Sequence, residues 1–242
     1  MADSDDPRSD LALIRDRLDL AVEAARSAGD LTLEYFRTRD IGLEHKSDGS
    51  PVTRADREAE ELLRERISRV FPEDAILGEE QAPRLGTSGF RWILDPIDGT
   101  KSFVHGVPLY GTLIGLEHAG KFIAGVIHMP ALDEMVYAGQ GLGAWHVVGS
   151  ADPRPARVST TQDLSAALVC STSIEYFADA GATPVYARLA GAVGAIRGWS
   201  DCYGALLTAT GRVDAWVEPV LNLWDAAAVF PVIREAGGLY TD

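Results

Sequence analysis

Cysteine is scarce in this chain: Cys170 and Cys202 are the only two among 242 residues. They share no Cys-x-x-Cys spacing, which argues against a zinc site or a thioredoxin-type motif, and two thiols cannot build a disulfide framework. A reducing, cytoplasmic setting is therefore expected. Basic residues are also few, with 22 Lys and Arg against 36 Asp and Glu, a formal net charge of −14. Nucleic acid and anionic lipid need basic patches, so neither is an expected partner. No apolar run is long enough to span a bilayer. The opening MADSDDPRSD lacks the positive and apolar regions of a signal peptide. The same charge repels an anionic substrate, unless cations sit where that substrate binds.

What is present divides into two halves. Leu11, Ile14, Leu18, Ala21, Ala25, Ala28 and Leu31 recur at helical spacing, so a helix is predicted over residues 10–37 after a disordered tail at 1–9. Thr53 reads as the N-cap of a second helix, with Ala59, Leu62, Leu63, Ile67 and Val70 on its apolar face. Short strands follow at 75–77, 91–94, 110–116, 122–128, 135–138 and 144–148, with His118-Ala119-Gly120-Lys121 as a hairpin turn. Asp152-Pro153-Arg154-Pro155 marks a joint between halves at about 10–150 and 156–242. Beyond it, strands at 168–170 and 213–217 alternate with helices at 184–193, 201–209 and 224–235, and Pro231 is expected to kink the last. Antiparallel strands first and alternating elements later predict one domain, a layered α+β sandwich.

The chemistry concentrates at Asp95-Pro96-Ile97-Asp98-Gly99-Thr100. A buried strand delivers Asp95 at its end. Pro96 is expected to stop that strand and bring Asp98 round to the same side. Ile97 anchors in the core while its carbonyl points outward. Gly99 permits close backbone approach, and the amides of Gly99 and Thr100 open a short helix, a phosphate seat. Two carboxylates and a carbonyl suit a hard divalent cation such as Mg²⁺. Taken alone the segment is also compatible with a plain Asp-Gly turn. Glu79 stands at another strand end and Asp225 opens the last helix; each alone reads as a solvated or dipole-favoured acid.

Together, Gly49-x-x-Val52-Thr53-x-x-Asp56, Gly78-Glu79-Glu80, Trp92 to Thr100, Leu223-Trp224-Asp225-Ala226-Ala227 and Arg234 to Gly238 resemble the inositol monophosphatase superfamily over nearly the whole chain from about residue 10. The resemblance implies an α-β-α-β-α sandwich, a homodimer and phosphomonoester hydrolysis with two or three Mg²⁺ ions. It implies that Glu79, Asp95 and the Ile97 carbonyl hold the first ion, Asp95, Asp98 and Asp225 the second, and Glu79 a weaker third. It also implies that Asp56 and Thr100 orient and activate the attacking water. Bound cations would resolve the charge conflict by reversing the local field. Relatives usually continue through one further short segment beyond a position like Asp242, so an exposed sheet edge is expected.

Lys101 to Thr112 and Arg197 to Gly204 resemble the histidinol-phosphatase branch of that superfamily. L-Histidinol phosphate carries an ammonium and an imidazole. An anionic Asp201 would attract the ammonium, and Trp199 could pack on the imidazole or engage the cation. Ser200 lies between them, and Glu218 faces substrate by resemblance. Asp201 reads equally well as an N-cap for the helix after it. Inositol phosphate or another small sugar or nucleotide phosphate is the alternative substrate, and a non-catalytic metal-binding relative is the rival class. Gly115 to Lys121 nearly spells a P-loop, but Phe122 follows where a hydroxyl is needed.

Overall fold

The computed structural model describes residues 7–199 and 201–241. Helix α1 (Pro7–Tyr35) and helix α2 (Arg54–Val70) flank a two-stranded hairpin, β1 (Glu44–His45) and β2 (Pro51–Val52). Strands β3 (Ala75–Gly78), β4 (Phe90–Asp98), β5 (Gly111–His118), β6 (Lys121–Met129), β7 (Glu134–Gly139), β8 (Gly143–Val148) and β9 (Arg154–Pro155) form one sheet in that order. Helix α3 (Thr100–Val104) lies between β4 and β5. Only β3 and β4 run parallel; every later neighbour is antiparallel. Of the expected tail at 1–9, residues 1–6 lie outside the described residues, and the first helix already begins at Pro7.

A second, parallel sheet of three strands has the order β11–β10–β12, from β10 (Leu168–Cys170), β11 (Ala195–Arg197) and β12 (Ala215–Trp216). The helices α4 (Ile174–Asp179) and α5 (Thr183–Ala192) connect β10 to β11. Helix α6 (Cys202–Ala209) precedes β12, and α7 (Leu223–Ala227) and α8 (Val229–Glu235) follow it.

Layering follows from which faces are apolar. Ala21, Ala25 and Ala28 of α1 and Ala59, Leu63 and Ile67 of α2 pack with Trp92, Leu94, Ile114 and Val126 on one side of the large sheet. On the other side, Leu113, Ile127 and Val136 meet Ala205, Leu206 and Ala209 of α6 and Val229, Val232 and Ile233 of α8. Close approach there requires glycine: a Cβ on Gly125 would come within 2.1 Å of the Ala228 carbonyl oxygen, and one on Gly115 within 2.6 Å of the Ala227 Cβ. Leu207 of α6 then meets Cys170 and Val213 beneath the small sheet. The result is the expected layered α+β sandwich, with α6 and α8 as its central layer.

Two expectations are corrected locally. Pro96 does not end the strand. β4 runs on to Asp98 through a register shift, in which Asp95 pairs with Leu113 and Asp98 with Gly111. Three steps on β4 oppose two on β5, a bulge where the N–H that proline lacks is not required. The last helix is broken rather than kinked, because α7 and α8 meet at Ala228, three residues before Pro231. Proline has no N–H to bond the carbonyl four residues back.

His128 adds a pH dependence to this core. It is buried, its Nδ1 lies 3.0 Å from the Ala25 carbonyl of α1, and burial pushes its pKa down to about 4. The folded chain therefore resists a proton that the unfolded chain accepts near its ordinary value of about 6.5. Stability from this group is present above that value and is lost as the pH falls toward 4. Between pH 7 and pH 5 the loss is expected to be about 2 kcal/mol. Urea unfolding of wild type and His128→Gln at both pH values measures it, since other titrating groups cancel in the difference.

Candidate active site

The bulge at Pro96 is what brings two acids of one strand together. Asp95 is buried at 2% exposure and its Oδ1 accepts the Ile97 amide at 3.1 Å. Asp98 Oδ2 accepts the amide of Cys202, the first residue of α6, at 2.5 Å. Asp225 enters from α7, where its Oδ2 accepts the Asn222 amide at 2.7 Å. One oxygen from each of Asp95, Asp98 and Asp225 lies within 4.8 Å of the others. Desolvation first raises the pKa of both Asp95 and Asp98 well above the ordinary carboxylate value; the charges of Glu79, Asp98 and Asp225 add to it at Asp95, and those of Asp201 and Asp225 at Asp98. Among the described residues none of the ion pairs involves these three acids.

Glu79 and Glu80 lie beside this cluster, and both are held by Lys46, whose Nζ is 2.6 Å from an oxygen of each. Their loop is fixed from below by Glu60 of α2. Its fully buried carboxylate accepts the amides of Glu80 at 2.7 Å and Gln81 at 3.1 Å, and it pairs with Arg64. Gly78 is needed there, since a Cβ would fall 2.2 Å from Glu60 Oε1.

Asp56 sits at the start of α2. Its Oδ2 accepts both the amide (2.7 Å) and the hydroxyl (2.5 Å) of Thr53. Its buried Oδ1 has no hydrogen-bond partner, and burial pushes its pKa up to about 7. Thr100 is not bonded to Asp56 here; its hydroxyl donates to the Ile97 carbonyl at 3.0 Å. The Ile97 side chain anchors in a core with Ala55, Phe103 and Tyr110, as the sequence suggested. Gly99 adopts φ 81°, the left-handed region open to glycine, and starts α3.

Of these groups, Glu79, Asp98, Gly99, Thr100 and Asp225 open on one cavity of about 660 Å³. Glu79, Asp98, Thr100 and Asp225 line one part, and Thr172, Asp201, Trp216 and Glu218 line another. Tyr176 and Asp179 of α4 also line it, and the Tyr176 hydroxyl lies 3.3 Å from Lys101 Nζ. Asp201 occupies the N-cap position of α6 that the sequence suggested, but its side chain makes no capping bond there. Burial, then Glu218 and Asp225, push its pKa up to about 6. Trp199 is 41% exposed in the turn between β11 and α6, its carbonyl facing Gly204, and it is not among the residues that line the cavity. The tryptophan that does is Trp216. Ser200 lies outside the described residues.

The acidic cluster fits a divalent cation. Its donors are all oxygen, they converge, and among the described residues no ion pair offsets their like charges. A layered α+β sandwich with such a cluster at the end of β4, one strand in from the sheet edge, beside an open cavity, defines a candidate phosphate-ester hydrolase. The model of the inositol monophosphatase family matches residues 14–242, and the chain belongs to that family. It is 47% identical to the histidinol-phosphatase of Chlorobaculum parvum over 93% of this chain and 85% of that one. Identity to the histidinol-phosphatase of Mycobacterium tuberculosis is 38%, over 93% and 87%. Among solved structures, the extragenic suppressor protein suhB of Bartonella henselae superposes with a TM-score of 0.82 at 31% identity, covering 90% of this chain and 84% of that one.

Four residues that shape the site were not singled out by the sequence reading: Lys46, Glu60, Thr172 and Tyr176. Glu60 alone left a trace, as a charged residue beside the apolar face of α2.

Proposed function

We propose that the chain is a Mg²⁺-dependent phosphomonoesterase that hydrolyses L-histidinol phosphate to L-histidinol and phosphate, a step of histidine biosynthesis. The observation that carries the substrate choice is the acidic part of the cavity. Asp179, Asp201 and Glu218 line it, and Lys101 is its one lining cation among the described residues. A leaving group bearing an ammonium and an imidazole suits that field, whereas a neutral polyol gains nothing from it. The similarity to two proteins named histidinol-phosphatase points the same way.

In this reading Glu79, Asp95, the Ile97 carbonyl, Asp98 and Asp225 hold two or three Mg²⁺ ions. When bound, such ions neutralise the phosphate, acidify the attacking water and stabilise the departing alkoxide. The amides of Gly99 and Thr100 at the start of α3 receive phosphate oxygens. Asp56 offers its unpaired Oδ1 to orient the Thr100 hydroxyl and the attacking water and to take the water's proton. The new P–O bond forms as the ester P–O bond breaks, and solvent protonates the leaving alkoxide to the alcohol.

A homodimer in the cytoplasm is the expected assembly and setting. Helix α5 buries none of its residues, with Val185 exposed at 44%, and both cysteines are free. No helix among the described residues is long and apolar enough to cross a membrane.

A substrate panel tests the proposal: L-histidinol phosphate, inositol 1-phosphate, fructose 1,6-bisphosphate and phosphoadenosine phosphate, each with and without Mg²⁺. The highest kcat/KM is expected for L-histidinol phosphate. A preference for inositol 1-phosphate would sink the substrate assignment, and no turnover of any with Mg²⁺ would favour a non-catalytic relative.

A further inference from the structure

Asp201 holds a backbone conformation that its side chain disfavours. Its φ is 56° and its ψ −150°, a region that is essentially the province of glycine. No side-chain capping bond accounts for this. The carboxylate lies instead against the phosphate loop: a Cβ on Gly99 would meet Asp201 Oδ2 at 3.0 Å. Something must hold the strained residue, and the structure shows what does. The Asp201 amide donates to the Thr172 hydroxyl at 3.2 Å. That same hydroxyl donates to Glu218 Oε1 at 2.8 Å, and the Thr172 amide donates to the same oxygen at 2.7 Å. Thr172 thus ties together residues from three segments: its own, just after β10, the start of α6, and the stretch after β12. All three residues line the cavity.

We propose that Thr172 is a positioning residue for the choice of leaving group. Its hydroxyl and amide clasp Glu218 and the strained Asp201 into one anionic wall, which favours phosphate esters whose alcohol carries a cation. The strain persists because it places the Asp201 carboxylate at that wall. The inference rests on the reading of this part of the cavity as the leaving-group site.

The experiment uses the Mg²⁺-loaded full chain with L-histidinol phosphate and inositol 1-phosphate. Thr172→Val, which keeps shape but loses the hydroxyl, is expected to lower the ratio of the two kcat/KM values by about tenfold or more, mainly through KM for L-histidinol phosphate. Thr172→Ser keeps the hydroxyl and is expected to hold the ratio within about twofold. Equal losses on both substrates, or a Ser variant as poor as Val, would overturn the clasp. A wild type that prefers inositol 1-phosphate overturns the proposed function and the cationic class with it. A wild type that prefers L-histidinol phosphate but ignores Thr172→Val overturns the clasp alone. A second arm needs no turnover. Asp201→Gly is expected to melt about 3 °C or more above Asp201→Ala, although glycine's freedom in the unfolded chain acts in the opposite direction. Equal or reversed melting temperatures would show that the conformation is not strained and overturn its part in the proposal.

Discussion

Replacing Asp98 by Asn is expected to lower kcat by about 10³-fold while raising the melting temperature of the metal-free protein. The two signs have one cause. Asp98 is half-buried beside Asp201 and Asp225, and desolvation followed by their charges raises its pKa. A group whose folded pKa lies above its unfolded value costs stability as the pH rises through that interval. Asn removes the charge and keeps an oxygen that can accept the Cys202 amide. The gain is expected to grow as the pH rises above the ordinary carboxylate value of about 4 and to fade below it, where Asp98 is protonated in both states. With Mg²⁺ present the order reverses, since a ligand that binds only the folded state stabilises wild type more than the variant. Calorimetry with chelator and with Mg²⁺ reads both signs. A variant that is active, or that melts lower than wild type in chelator, would contradict the cluster's role.

Asp56→Asn is the second large effect, a fall in kcat of about 10²- to 10³-fold with a much smaller change in KM. The substitution keeps an acceptor for both Thr53 bonds. It removes the one feature those bonds do not explain, a buried carboxylate oxygen with no partner. If Asp56 and Thr100 act as one unit, Thr100→Val costs a similar factor, and the double variant costs little more than either alone. Pre-steady-state and steady-state kinetics on the three variants decide this. Losses that multiply in the double variant would separate the two residues.

What the sequence revealed and what it hid follow one rule of distance along the chain. Asp95 to Thr100 could be read because strand, proline, acids and glycine are contiguous, and their local geometry is nearly self-determined. Even there the reading of Pro96 as a strand stop missed the bulge, which depends on the partner strand β5. Glu79 and Asp225 were reached only through family resemblance, since nothing local distinguishes them from solvated acids. Glu60 supports a loop 20 residues away, and Thr172 binds Glu218 across 46 residues. Such bonds have no periodicity and leave no pattern to read. Trp199 stands next to Asp201 in sequence, yet the turn into α6 leaves it at the surface, an exposure that sequence adjacency does not reveal.

Asp95, Asp98, Asp225 and Glu79 are proposed to form a seat for cations, and the cations to make a phosphate seat in a chain of net charge −14. Phosphate release from L-histidinol phosphate by the metal-stripped protein, measured before and after Mg²⁺ is restored, tests this most directly. No release above background is expected in chelator and full turnover on addition of Mg²⁺; equal turnover in both would contradict the cation seat.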